Sequence, residues 1–218
     1  MASMTWHETL RADLTDALRA ATPDAPTLCE GWQARHLAAH VVLRESSLRV
    51  GAGIAVPALA GAAERAIDEL AQTATTPEGY AALVDRVAAG PSRWHPMSVA
   101  GDAANLVEFY VHGEDVRRGA GPVPPRELDP ALADALWKDV RRFARARTHK
   151  VPVGLVLVNA DGPRARVKGP KGEHGTVVVR GDAGELVLWL SGRGAASTVV
   201  AQGAPVDVAL LAARFPLP

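Results

Sequence analysis

The sequence predicts an all-α segment followed by a small α+β unit, and two observations carry that expectation. Up to residue 149 the apolar positions recur at helical spacing, in stripes such as Leu10, Leu14 and Leu18. After Lys150 the period becomes that of strands, with β-branched runs separated by turn residues. The expected domains are therefore 1–149, most economically a four-helix bundle with additions, and 150–218.

Each element has a local reason. Residues 7–21 form an amphipathic helix that Pro23 and Pro26 close. Residues 32–49 repeat the pattern with Leu37, Val41 and Leu48, just after Gly31. Ala-rich helices follow at about 57–72 and 77–89, with Pro77 in the first turn, where a missing N–H costs nothing. A break at Gly90-Pro91 leads to a helix at 102–118 with Asp102 as N-cap, and another covers 129–147. Strands are expected at 151–158, 164–168, 176–180 and 198–201. Asp182-Ala183-Gly184-Glu185 has the form of a capping box opening a short helix, and 205–213 is the last helix.

Composition narrows the function. The chain has 218 residues and a formal net charge of +0, so there is no electrostatic reason to expect nucleic acid or an anionic membrane as partner. No apolar run approaches the ~20 residues of a membrane span. The opening Met1-Ala2-Ser3-Met4-Thr5-Trp6-His7 lacks the layout of a signal peptide, and a soluble cytoplasmic protein is expected, as monomer or homodimer. Cys29 is the only cysteine, which excludes an internal disulfide and fits a reducing compartment. Arg greatly outnumbers Lys, the mark of a GC-rich and plausibly actinobacterial genome.

The chemistry lies in Glu108 and His112. Four residues apart, they share one helix face, roughly 6 Å along the axis. His40 lies on the inward stripe of an earlier helix with Leu37, Val41 and Arg44, and would supply a second imidazole. Two nitrogens and one oxygen are the ligands of a catalytic metal site with a coordination position left open. Asn105, Glu108, His112 and Asp115 fall on one line. Burying four unpaired polar groups costs a few kcal/mol each, and a divalent cation would remove that cost. Asp115 would then accept a hydrogen bond from a ligand histidine. The spacing equally fits an exposed ion pair between Glu108 and His112, with His40 a satisfied core residue. His7, His36, His95, His149 and His174 have no partner at ligand spacing and read as surface or loop residues.

The run Leu28-Cys29-Glu30-Gly31-Trp32-Gln33-Ala34-Arg35-His36-Leu37-Ala38-Ala39-His40 resembles the start of the mycothiol-dependent maleylpyruvate isomerase family, within the DinB-like group of metal-binding four-helix bundles. The run from Glu108 to Arg118 resembles that family's second motif, E-x-x-x-H-x-x-D. Residues 181–203 resemble its carboxy-terminal, sterol-carrier-like α+β domain. His36 departs from the aspartate often seen at its position. The resemblance implies a metal triad of His40, Glu108 and His112, with zinc expected and nickel or iron compatible. It also implies mycothiol as the low-molecular-weight thiol that the metal activates as thiolate, for transfer to a small electrophile or for an isomerisation.

The same resemblance suggests that the second domain lends Arg193, to pair with a substrate carboxylate or a developing enolate, or with the thiol cosubstrate. Capping of a helix C-terminus is the other reading of that residue. Arg44 is a candidate for the same task from the first domain, or a structural partner of Glu108 or Asp115. Trp32 packs at the bundle mouth or walls a ligand site. Cys29 has no visible partner base and reads as a packed, inert thiol. Arg141, Arg142, Arg145 and Arg147 read as a solvated helix face. A hydrolase using metal-bound water and a non-catalytic binding protein are the rival readings, and specificity is expected in loops such as 90–100.

Overall fold

The computed structural model describes residues 5–47, 50, 58, 60–92, 95–160 and 162–218, with backbone only at 96–100. It separates into two compact units, Met1–Gly121 and Pro122–Pro218. The first is helical: α1 (Trp6–Ala20), α2 (Ala34–Ser46), α3 (Ala60–Gln72), α4 (Pro77–Ala89) and α5 (Pro96–Arg117). The second holds α6 (Pro130–Thr148), β1 (Gly154–Asn159), β2 (Arg164–Lys168), β3 (Thr176–Gly181), α7 (Ala183–Leu188), β4 (Val200–Gln202) and α8 (Pro205–Ala212). Among the described residues no helix is long and apolar enough to cross a membrane.

In the first unit, burial drives the packing. Leu10, Leu14 and Leu18 are buried one turn apart on α1, against α5 and α4. Helix α2 packs on α3 and α4 and touches α5. Its inner face holds Leu37, Val41 and His40, all buried. Gly31, at φ 78°, makes the turn before α2 in a region that a side chain would strain. Polar groups tie the helices together. Arg11 donates to both carboxylate oxygens of the buried Glu45, at 2.7 and 2.5 Å, and lies 4.5 Å from the Phe109 ring centre. The Tyr80 hydroxyl donates to the Leu18 carbonyl at 2.9 Å.

Helix α5 differs from expectation at its start. Its helical backbone begins at Pro96 and is broken at Gly101, where φ is 54° and ψ is −144°. Asp102 does not cap the helix that follows it; its carboxylate accepts from the backbone N–H of His7 at 2.8 Å and meets that imidazole at 2.7 Å, securing the first turn of α1. The expected helical stretch at 48–49 and 57 lies outside the described residues.

The second unit is a sheet of order β2-β1-β3-β4, with β1 parallel to β3 and both outer pairs antiparallel. Leu155, Leu157, Val177 and Val179 alternate into its core, joined by Trp189 and Phe215 with ring centres 5.4 Å apart. The sequence period changes at residue 150, but the compact units divide near 121, because α6, with Leu132, Leu136 and Val140 buried, packs against α7 and β2. The change of period marks where strands begin, not where the α6 stripe finds its cover. Asp182 sits at the N-cap of α7 without a side-chain capping bond, and the expected capping-box partner Glu185 is instead buried, accepting from the Thr198 backbone N–H at 2.8 Å.

Candidate metal centre

In the first unit, α2 presents His40 and Arg44 one turn apart, and α5 presents Asn105, Glu108, His112 and Asp115. The two rows meet at one oxygen. Glu108 Oε1 lies 3.1 Å from His40 Nε2, 3.3 Å from His112 Nε2 and 3.2 Å from Arg44 Nε. The two imidazole centres are 5.0 Å apart with rings at 70°, so both Nε2 atoms aim at the same point.

Outer contacts hold this arrangement. His112 Nδ1 pairs with Asp115 Oδ2 at 2.9 Å, and Asp115 is fully buried. The Cys29 thiol donates to that same oxygen at 3.1 Å, while the Leu28 N–H donates to the Asp115 carbonyl at 3.0 Å. Arg44 is fixed by Asn105 Oδ1 at 2.8 Å and the Ala104 carbonyl at 2.9 Å. The half-buried Trp32 ring lies 5.2 Å from that of His40. His40 and His112 are nearly closed off, whereas the Glu108 side chain is 26% exposed, so access is past the carboxylate.

The charges are strongly coupled. Burial alone would raise Glu108, but His112, His40 and Arg44 outweigh it and hold the carboxyl well below its usual range. Burial opposes charge on His112 too, yet Glu108 and Asp115 on its two sides hold it well above the usual imidazole value. His40 is pushed down by burial, only partly offset by Glu108. These directions favour the ionised form of Glu108 and the protonated form of His112, and the neutral form of His40. Because the folded-state value of Glu108 is depressed, its contribution to stability is present at neutral pH and is lost as pH falls below the carboxylate range.

Among the described residues, two sets of three groups have ligand atoms all within 4.8 Å of one another: His40, Glu108 and His112, and Cys29, His112 and Asp115. The first fits a divalent ion by its donor chemistry, two imidazole nitrogens and one carboxylate. An ion there would replace the proton at His112 Nε2. Only His112 has the outer carboxylate that orients a ligand ring; His40 Nδ1 is buried without a hydrogen-bond partner. In the second set, Asp115 and Cys29 act on the far nitrogen of His112. Replacing Asp115 by asparagine removes the charge that orients His112, and zinc affinity should fall roughly 10–100-fold, as measured by competition with a chromogenic chelator. An unchanged affinity would deny Asp115 this role.

The structure brings His40, Arg44, Glu108, His112, Asp115 and Trp32 together. Arg193 belongs to the second unit, ending a π-helical turn over Trp189–Arg193, and its Nη1 donates to the Ser191 carbonyl at 2.7 Å. Cys29, read from the sequence as a packed thiol with no visible partner base, is partly buried, and its Sγ donates to Asp115. His36 Nδ1 accepts from the Gln33 N–H at 3.2 Å and so helps to cap the start of α2. Asn105 as the clamp on Arg44 was visible in the sequence only as a polar residue on the site face. Of the 90–100 loop, residues 93 and 94 lie outside the described residues.

No family model matches the chain, and no curated protein matches it. Two solved structures do. The crystal structure of the mycothiol-dependent maleylpyruvate isomerase is 17% identical over 93% of this chain and 98% of its own, with a TM-score of 0.56. A mutant of that isomerase gives the same identity and coverage with a TM-score of 0.57. At this identity the likeness is one of fold: the chain is built, over nearly its whole length, like the mycothiol-dependent maleylpyruvate isomerase.

Proposed function

We propose that the chain is a metal-dependent enzyme that activates a low-molecular-weight thiol, mycothiol, for attack on a small electrophile, as an S-transferase or a maleylpyruvate-isomerase-like isomerase. The observation that carries this reading is the convergence of His40 Nε2 and His112 Nε2 on Glu108 Oε1 at 3.1 and 3.3 Å. It occurs in a fold shared with a protein named as a mycothiol-dependent isomerase. His40, Glu108 and His112 would hold the ion, zinc being the first candidate and nickel or iron accepting the same donors. When bound, a divalent ion lowers a thiol pKa from ~8.5 and keeps the sulfur as thiolate.

The side chains do the rest. Asp115 fixes the ring of His112 so that Nε2 faces Glu108, where an ion would be held. Arg44 keeps Glu108 ionised and in place, itself clamped by Asn105. Trp32 gives the site an apolar wall beside His40, which limits water near a reactive sulfur.

The test is turnover by the zinc-loaded protein with mycothiol and either a generic alkylating electrophile or maleylpyruvate, followed by mass spectrometry and absorbance. Thiol-dependent turnover that falls to background in His40→Ala is expected. Turnover without any thiol would favour a hydrolase. Mycothiol turnover undiminished in His40→Ala would remove the metal from the reaction.

A further inference from the structure

Within the second unit, α6 and β2 are neighbours and turn two rows of cations to one groove. On α6, Lys138, Arg141, Arg142 and Arg145 stand at steps of three and four; on β2, Arg164 and Arg166 lie on one side of the strand. These six line a cavity of about 620 Å³ whose wall includes no acidic residue. At Arg145 and Arg166 it continues into a second cavity of about 460 Å³ that reaches Lys171. The Arg142 guanidinium is tied to Asp139 at 2.9 Å, and the Lys168 ammonium donates to the Thr148 and Val151 carbonyls. Among the described residues, Arg141, Arg145, Arg164 and Arg166 are exposed and make no ion pair.

Like charges crowded into one concavity repel one another, and nothing in the fold requires them there. A multivalent anion offsets that repulsion, and guanidinium forks match phosphate oxygens in pairs. We propose that the α6–β2 groove binds a free chain of linked phosphates, a small ligand of the polyphosphate class. Three features favour this over a nucleic-acid polymer. The formal net charge of +0 supplies no long-range attraction to a polymer, so the positive field is local. No Phe, Tyr or Trp lines either cavity, and the single imidazole of His149 in the second is too little to stack successive bases along a strand. The α6 row from Lys138 to Arg145 spans about 10 Å at 1.5 Å per residue, enough for a few linked phosphates and short for a strand that must be tracked. The residues that line the groove belong to the second unit, and those of the candidate metal centre to the first.

Calorimetric titration of the full chain with tripolyphosphate at physiological salt tests it. Saturable one-site binding is expected, weakened about ten-fold or more by Arg145→Glu and by Arg166→Glu, with thermal midpoints not lowered, since both residues are exposed and each reversal relieves repulsion in the groove. Arg86→Glu, the same charge change on α4, should leave the affinity intact. Absence of saturable binding would overturn the proposal, as would equal weakening by Arg86→Glu or orthophosphate binding as tightly as tripolyphosphate. Tighter binding of duplex DNA or of anionic phospholipid vesicles through the same arginines would also overturn it.

Discussion

Glu108→Gln protein should purify without stoichiometric metal, and its zinc affinity should drop by more than the roughly 10–100-fold carried by an outer partner such as Asp115. The substitution keeps the shape of the side chain and removes the one charge on which both imidazoles and Arg44 converge. Arg44 retains Asn105 and the Ala104 carbonyl, so the local packing survives. Loss of metal by elemental analysis, with helical content unchanged by circular dichroism, is the expected pair of results. Full metal occupancy in this variant would show that Glu108 is not a ligand. His112→Ala should lose the metal as well, and in addition removes the imidazole that pairs with the buried Asp115 at 2.9 Å.

The largest effect on stability should come from Glu114, which is outside the proposed ligand set. This carboxylate is fully buried and receives Arg117 Nη1 at 2.6 Å and Arg118 Nε at 2.7 Å. Arg118 is only 3% exposed, so truncating Glu114 leaves a guanidinium in a place with little water. Breaking a buried pair from one side costs about 3–5 kcal/mol, because the surviving charge stays desolvated. Glu114→Ala should therefore lower the urea midpoint of the metal-free protein sharply. Asp16→Ala removes one of two partners of Arg19, the one at 3.6 Å, where both side chains are more than half exposed, and should change stability by less than about 1 kcal/mol. Equal effects from the two variants would mean that burial does not govern these pairs.

The sequence made the helices of the first unit legible because their burial is periodic. Leu10, Leu14 and Leu18 had to share a face, and Asn105, Glu108, His112 and Asp115 had to share another. Each member of that polar row has a partner in the structure, as the cost of burying it demands. Periodicity could not give partners distant in the chain. Cys29 reaches Asp115 across 86 residues, and Asp102 serves the start of α1 across 95. Glu185 illustrates the same limit: its spacing from Asp182 fits a local capping box, but its carboxylate goes to Thr198. Helix α6 was legible as a helix and not as part of the second unit, since a stripe shows that a face is covered without showing by what.

Diffraction data collected on both sides of the zinc absorption edge, from crystals of protein saturated with zinc, would examine the metal centre most directly. The expected result is one anomalous peak about 2.0–2.2 Å from His40 Nε2, a Glu108 carboxylate oxygen and His112 Nε2 together. A peak held instead by Cys29, Asp115 and the Nδ1 side of His112, or no peak near these helices at all, would contradict it.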